Sequence, residues 1–414
     1  MIGRLNTKEK KVTVIGGGIS GLLAAYYLHR HGYEVTLLEK QKQAGGLIDT
    51  IMTPYGLAEK AAHSFLATPS MVSLAQGLGL KLLRAQTRTR YILRDGQLKR
   101  MPLSPKEAFH AVWRFLFSRA QSDAQTFAQW AKEHLNESAM NYLLNPFLLG
   151  IFGATAENIS VKAAFPRLAT FPGERVWDAL RRTPKKREKT FLAAFEKGTG
   201  SLVKALSQDL TLKLGKNFVL GKAVEELPRS GNVVLCVPAY EAARLLQKKH
   251  KALARALEKV NYNPFVQATV FLEKRAEIPK GVGVLIPPQE KRKILGVLFN
   301  SHTFAYRTVS QELHSVSVFA GGSLFPEIVS LKESEIREII EEELAALFHA
   351  RKYIRHMEIV RWHKGIPLYN EDLRLAWDIA EKLLAQEEGL ILFGNYTGEI
   401  SLRGLEKKAS QLGS

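Results

Sequence analysis

The glycines at 16, 18 and 21 carry the first legible chemistry in this chain. They follow the apolar run Lys11-Val-Thr-Val-Ile15 and read Gly16-Gly17-Gly18-Ile19-Ser20-Gly21. A Gly-x-Gly-x-x-Gly turn between a strand and a helix suits a dinucleotide pyrophosphate. Gly16 permits the tight turn, Gly18 lets the backbone approach the phosphates, and Gly21 lets helix and strand pack closely. Gly17, Ile19 and Ser20 complete the turn. The unpaired N–H groups of the first helical turn and the helix dipole both favour the negative charge. Glu39 ends a second strand, 34–38, and stands about 20 residues beyond the glycines, where a carboxylate accepts hydrogen bonds from a ribose. Lys40 adjoins it. Gly45-Gly46-Leu47 follows, and a stretch without side chains lets the backbone fold over the nucleotide.

The elements that must position these residues can be read outward from the turn. A helix is predicted over 22–31, stopped by Gly32, before the strand at 34–38. Residues 88–98 read as a hairpin turning at Asp95-Gly96. From 104 to 180 the pattern is largely helical, with Phe109, Val112, Trp113, Leu116 and Phe117 at helical spacing and Lys106, Arg114 and Arg119 beside them. A helix lying on a membrane surface has this pattern, and so does a core helix, which is the commoner case. Strands are predicted at 218–220, 233–239, 265–272 and 315–319, a charged amphipathic helix at 332–353, and a strand at 390–395 leading into a last helix.

Composition narrows the class. A chain of 414 residues exceeds one simple core, so two or three domains are expected. Hydrophobic content of 46% with 24% charged residues is that of a globular protein. The single cysteine, Cys236, excludes an intrachain disulfide and a thiolate metal cluster and points to a reducing compartment. In its apolar run it reads as a buried small residue rather than a nucleophile. No histidine pair has metal-ligand spacing, so no metal site is expected. The net charge of +19 asks for an anionic partner. The densest basic run, Arg181-Arg-Thr-Pro-Lys-Lys-Arg-Glu-Lys189, reads as a solvated loop without a nucleic-acid motif. A membrane surface or a polycarboxylate substrate fits better than nucleic acid. The first ten residues lack the apolar core of a signal peptide, and no run of 18 apolar residues occurs. The expectation is a cytoplasmic protein, peripheral on the cytoplasmic face of the membrane.

Glu39 followed at this distance by Gly45-Gly46 resembles the flavoprotein amine-oxidase superfamily, which favours FAD over NAD. Further motifs narrow the resemblance to the oxygen-dependent porphyrinogen oxidases, of protoporphyrinogen and coproporphyrinogen type. They are Pro146-Phe-Leu-Leu-Gly-Ile-Phe-Gly-Ala154 with 157–166, Gly198-Thr-Gly-Ser-Leu202, Leu295-Gly-Val-Leu-Phe-Asn-Ser301 with Gly321-Gly322, Trp362-His-Lys-Gly-Ile-Pro-Leu-Tyr369, and Gly394-Asn-Tyr-Thr-Gly398 with Ile400-Ser-Leu402. The resemblance implies an α/β and α+β architecture: a Rossmann-type FAD-binding domain, a mixed-sheet substrate domain and a helical, membrane-docking subdomain. The expected division places the FAD-binding domain at 1–85, 196–245 and 386–414, the substrate domain at 86–103 and 246–385, and the helical subdomain at 104–195.

Carried over residue by residue, the resemblance implies that Gly16, Gly18, Gly21, Glu39 and Gly46 hold the ADP half of FAD. Val224 contacts adenine through its backbone. His63, Ser64, Asn395, Ile400, Ser401 and Leu402 lie near the flavin. Arg90 binds a substrate propionate, for which a guanidinium fork is suited, and Val282, Leu285 and Leu298 sandwich the macrocycle. No general base is assigned. The implied reaction is the six-electron oxidation of protoporphyrinogen to protoporphyrin, in flavin-mediated two-electron rounds, with molecular oxygen as acceptor and hydrogen peroxide as by-product. The alternatives are coproporphyrinogen oxidation and a porphyrin-binding protein without oxidase activity. Ferrochelatase and a second copy of the chain are the implied protein partners. Two departures from the family pattern stand out. Ala61-Ala62 replaces a common Gly-Pro pair, and Glu399 stands where glycine is common.

Overall fold

The computed structural model describes residues 1–182, 188–228 and 230–413. Most of the basic run at 181–189 therefore lies outside the described residues. Among the described residues, the strand Lys11–Ile15 sits inside a six-stranded sheet. The strand order is Ile2–Arg4, Leu390–Leu392, Asn232–Leu235, Lys11–Ile15, Glu34–Leu38, Phe218–Val219. All neighbours pair in parallel except the first pair. Sheet strands covered on both faces are apolar almost throughout, and Val12, Val14, Val234, Leu235, Ile391 and Leu392 are all buried. Asn232 ties one end of this sheet together. Its side chain accepts from Asn6 N at 2.7 Å and donates to Glu9 O at 2.7 Å.

The helix after the glycine turn runs Ile19–Arg30, and its face of Leu22, Leu23, Ala24, Ala25 and Leu28 is buried. Three strands are shorter than predicted, the one at 218–220 by a single residue, since it ends at Val219. The run at 233–239 ends as a strand at Leu235, Cys236 N makes a last bond to Ile15 O at 2.8 Å, and Pro238, which cannot donate to a ladder, precedes the helix Ala239–Leu246. Its neighbour ends at Leu392.

A second, seven-stranded sheet has the order Ile354–Pro367, Tyr262–Glu273, Leu313–Gly321, Gly296–Leu298, Gly283–Leu285, Arg90–Arg94, Gln97–Lys99. The hairpin at its edge turns through Asp95 and Gly96, with φ of 56° and 71°, as a two-residue turn of this twist requires. The helix predicted over 332–353 is Glu333–Phe348. It stops at His349, whose φ is 49°, and a tight turn, Arg351–Tyr353, follows. The tryptophan-containing segment, read only as a motif from sequence, is the outer strand of this sheet.

Between these regions lie the helices Pro105–Phe117, Phe127–His134, Asn145–Phe152, Val161–Ala164 and Val176–Arg182. The first starts at a capping box, Ser104 with Glu107, and a proline at its first turn. The core reading of this helix is corrected. Its buried position is Ala111, and Phe115 meets Trp130 edge-on. Phe109, Val112, Trp113, Leu116 and Phe117 face outward, Phe109 at 74% and Phe117 at 54% exposure. Helical spacing alone does not say which face meets the core, and here the small residue does.

Candidate functional site

The glycine turn is built from close backbone approaches. Gly16 has φ of 106°, and a Cβ there would stand 2.5 Å from Cys236 O. A Cβ at Gly21 would stand 1.8 Å from Gly16 O. Gly18 differs, because a Cβ there would meet nothing closer than Gly46 Cα at 4.0 Å. The helix begins at Gly18 with no side chain capping it, so its first N–H groups remain available to a phosphate. Gly45 lies across from Gly18 and donates to Gly17 O at 2.8 Å. Glu39 curls back to accept from Gly17 N at 2.5 Å and from Gln41 N at 2.7 Å. The fold thus brings Gly16, Gly17, Gly18, Glu39, Gly45 and Gly46 together as a cradle that fits the phosphates and ribose of a dinucleotide. Ile19 and Ser20 form the start of the helix, and Leu47 follows the cradle half-buried. Lys40 is turned away into an ion pair with Glu241 at 2.9 Å, whose hydrogen bond raises the lysine pKa.

At the other side of the sheet end, Asn395 O accepts from the Tyr369 hydroxyl at 2.6 Å. Ser401 caps the last helix, Leu402–Ala409, by accepting from Gly404 N at 3.1 Å. Ile400 is half-buried and Leu402 buried beside it. Glu399 is accommodated by the bare Gly404, where a Cβ would fall 1.9 Å from its Oε2. Its carboxylate therefore lies against the first turn of this helix, a favourable place for negative charge. Val224 lies in the connection before Asn232–Leu235, and its carbonyl is held by Arg244 at 2.8 Å.

A cleft opens where the segment after the hairpin Thr50–Thr53/Gly56–Glu59 meets the seven-stranded sheet. Leu57, Glu59, His63, Ser64, Val282, Leu298, Asn300, Thr303, Phe304 and Arg307 line it. His63 and Ser64, expected near the flavin, and Val282 and Leu298, expected near the substrate, thus share one wall. Leu285 is not among the lining residues and packs toward Gly150. Arg90 lies opposite Gly283 on the neighbouring strand and is exposed.

Sequence reasoning missed the charged floor of this cavity. Glu59 and Arg307 are both 4% exposed and lie 3.5 Å apart. Glu59 also accepts from Thr50 Oγ1 at 2.6 Å and Thr199 N at 2.9 Å, and Arg307 donates to Phe195 O at 3.2 Å. Burial raises the Glu59 pKa against those hydrogen bonds and lowers that of Arg307 against its partner's charge. Arg307, in a loop between Phe304 and the sheet, carried no sequence signal. Trp362 Nε1 donates to Lys60 O at 2.7 Å, and Gln267 donates to Glu59 O. Together they fasten the chain on which His63 sits. Burial and the nearby Arg307 charge lower the His63 pKa to about 3.

The sequence profile described as flavin containing amine oxidoreductase matches residues 19–400. The chain belongs to that family. As a flavin-containing oxidoreductase it carries FAD, whose ADP half the cradle fits. The mitochondrial protoporphyrinogen oxidase of Nicotiana tabacum is 24% identical, over 96% of this chain and 92% of that one. Protoporphyrinogen oxidase 2 of Arabidopsis thaliana is 26% identical, over 95% and 91%. Coproporphyrinogen III oxidase of Bacillus subtilis is 22% identical, over 87% and 88%. Among solved structures, a protoporphyrinogen oxidase candidate from Exiguobacterium shares the fold at a TM-score of 0.77 with 19% identity, covering 97% of both chains. A reduced UDP-galactopyranose mutase shares it at 0.73 with 14% identity, covering 96% of this chain and 91% of that one.

The glycines of this flavin oxidoreductase separate folding from cofactor binding. Gly21→Ala is expected to cost more than about 3 kcal/mol, because the new methyl overlaps a backbone oxygen. Gly18→Ala is expected to stay within about 0.5 kcal/mol of the parent yet to lose bound flavin. Thermal unfolding and flavin absorbance per protein check both. A Gly18→Ala protein that keeps its full flavin content would remove Gly18 from the phosphate site.

His63 makes a pH prediction. Its folded pKa of about 3 lies below the ordinary 6.5, so between those values the unfolded chain binds the extra proton. Stability therefore falls as pH drops below 6.5. The expected loss between pH 7 and 5 is about 1–2 kcal/mol, and His63→Asn should remove that part of the slope. Denaturant melts at the two pH values measure it, and equal slopes in both proteins would contradict the assignment.

Proposed function

We propose that this flavoenzyme oxidises protoporphyrinogen to protoporphyrin with oxygen as the acceptor. The observation that carries the reading is the cavity shared by His63, Ser64, Val282 and Leu298. It lies between the chain segment adjoining the nucleotide cradle and the mixed sheet, where an apolar tetrapyrrole bearing carboxylates would meet the cofactor. The named porphyrinogen oxidases that align over nearly the whole chain support it.

In this reading the FAD-binding residues are Gly16, Gly17, Gly18, Ile19, Ser20, Gly21, Glu39, Lys40, Gly45, Gly46, Leu47, Val224, Asn395, Ile400, Ser401 and Leu402, with His63 and Ser64 lining the cavity where it adjoins the flavin. The three FAD-binding segments, two substrate segments and helical subdomain keep the proposed boundaries given above. Bound FAD supplies the two-electron acceptor that oxygen restores. Val282 and Leu298 hold the macrocycle by apolar contact and exclude water from the reacting carbon. The Glu59–Arg307 pair, with Gln267 and Trp362, holds the 60–64 segment against the sheet, so that the positions meeting the ring are preorganised. Arg90, exposed at the end of the strand beside Gly283, meets a substrate carboxylate as a bidentate donor.

Coproporphyrinogen is the second reading. It is favoured by the exposed Arg88 and Arg90 at the same sheet edge and by the net charge of +19, both suited to a substrate with more carboxylates. Incubating the flavin-loaded protein in air with each porphyrinogen and following porphyrin fluorescence separates the two. Faster porphyrin formation from protoporphyrinogen is expected, and no gain over autoxidation with either would overturn the oxidase reading. Arg90→Ala should raise KM severalfold with a smaller change in kcat.

The same reading places the protein peripherally on an anionic membrane. No helix among the described residues is long and apolar enough to cross one. The outward face of Phe109, Val112, Trp113, Leu116 and Phe117, with Lys106, Arg114 and Arg119 nearby, suits an interfacial helix. The protein should float with vesicles containing phosphatidylglycerol. Trp113→Ser with Phe117→Ser should weaken binding at least tenfold, since each side chain loses about 1.5–3 kcal/mol of burial. Equal flotation of parent and variant would exclude this face. Ferrochelatase and a second copy of the chain complete the proposed partners.

A further inference from the structure

The polar atoms of the cavity wall are almost all paired. Glu59 and Arg307 satisfy each other and their neighbours. Asn300 Nδ2 donates to Ser315 Oγ at 3.1 Å and Ser317 Oγ at 2.8 Å. Thr303 Oγ1 donates to Phe299 O at 2.9 Å. Among the described residues of this wall, His63 Nε2 is the buried side-chain polar atom without a partner. Leaving such an atom unpaired costs about 1–3 kcal/mol, so its persistence at the cavity wall asks for an occupant that pairs with it.

The neighbours decide what kind of partner that is. His63 Nδ1 lies 3.4 Å from Ser317 Oγ, which also lies 3.4 Å from Thr269 Oγ1. A serine oxygen has one hydrogen and two acceptor sites. Asn300 fills one acceptor site. With the serine hydrogen given to Thr269, the other site takes the Nδ1–H of His63. That arrangement satisfies all three groups and leaves Nε2 a bare lone pair on the opposite edge of the ring. Burial and the Arg307 charge keep the ring neutral, its pKa lowered to about 3, so the lone pair is not lost to a proton. The ring is also braced edge-on against Phe319 at 5.5 Å.

We propose that His63 Nε2 is the acceptor that receives an inner N–H of the tetrapyrrole, fixing the rotation of the macrocycle within the cavity. The inference rests on the porphyrinogen reading. The centre of a porphyrinogen presents only N–H donors, so a site that buries it must supply an acceptor. Val282 and Leu298 hold the ring plane without selecting its rotation, because apolar contact is non-directional. The hydrogen bond supplies the direction. Ser317 is a positioning residue, acting through Nδ1.

The test uses the flavin-loaded protein and two stable ring probes, free-base protoporphyrin and its nickel complex, in which the metal has replaced the inner hydrogens. Binding is read by quenching of protein fluorescence, independently of turnover. His63→Leu is expected to raise Kd for the free base about tenfold while leaving that of the nickel complex within about twofold. His63→Asn, which restores an acceptor, should recover most of the loss. Ser317→Ala should show a smaller effect of the same selectivity. Flavin content and circular dichroism confirm that each variant is folded. Equal weakening of both probes by His63→Leu, or none, would overturn the proposal while leaving the oxidase reading intact. A parent protein that binds neither probe and oxidises neither porphyrinogen would instead overturn the oxidase reading, and this assignment with it.

Discussion

Three backbone segments share almost no space at the end of the strand Lys11–Ile15, and the rest of the molecule is arranged around that contact. The turn at Gly16 is pressed against Cys236 O from the neighbouring strand, and Gly21 in the following helix is pressed against Gly16 O. Any side chain at either position would push the helix off the sheet. Because nothing intervenes, the helix N-terminus opens directly over the carboxyl ends of Lys11–Ile15 and Asn232–Leu235. An open parallel sheet binds its ligand there. Glu39 and Gly45-Gly46 close the other side of the same space.

A second junction makes the nucleotide cradle part of an enzyme. Glu59 stands at the end of a hairpin whose chain leads directly into His63, and it is engaged by the turn at Thr199, by Arg307 and, through its backbone, by Gln267. Buried ion pairs are weak contributors to stability but are costly to break on one side. This one ties together the hairpin, the chain before Gly200–Leu214, the strand Phe191–Phe195 and the loop that carries Arg307. Its physical role is positional. The cavity has a charged floor whose members are occupied with one another, under walls of Leu57, Val282, Leu298 and Phe304.

The helical region answers to a different constraint. Pro105–Phe117 turns Ala111 inward and leaves its largest side chains outside. A soluble monomer rarely presents so continuous an apolar face. Arg94 braces the start of this helix through Glu107, to which it donates at 2.9 and 3.0 Å. The exposed face is thereby fixed in direction relative to the mixed sheet rather than hung on a free arm.

Much of the nucleotide half was legible in the residues themselves. Glycine spacing, the acid after the second strand and the second glycine pair are local, and local chemistry is what backbone sterics and helix termini read. The hairpin at Asp95-Gly96 was legible for the same reason. Strand ends were less so, since Pro238 interrupts a run that is apolar throughout. The outward face of Pro105–Phe117 was invisible because one period serves both a core stripe and a surface stripe. The pairing of Glu59 with Arg307, the fastening of the 60–64 segment by Trp362 and Gln267, and the bare Nε2 of His63 join residues far apart in the chain. Only the tertiary fold brings them together. The type and spacing of the glycines determined a helix end shaped to receive a dinucleotide. Which groups face whatever is held beside it was decided by packing, because burial and long-range partners, not local propensity, set the charge and hydrogen bonding of a cavity wall.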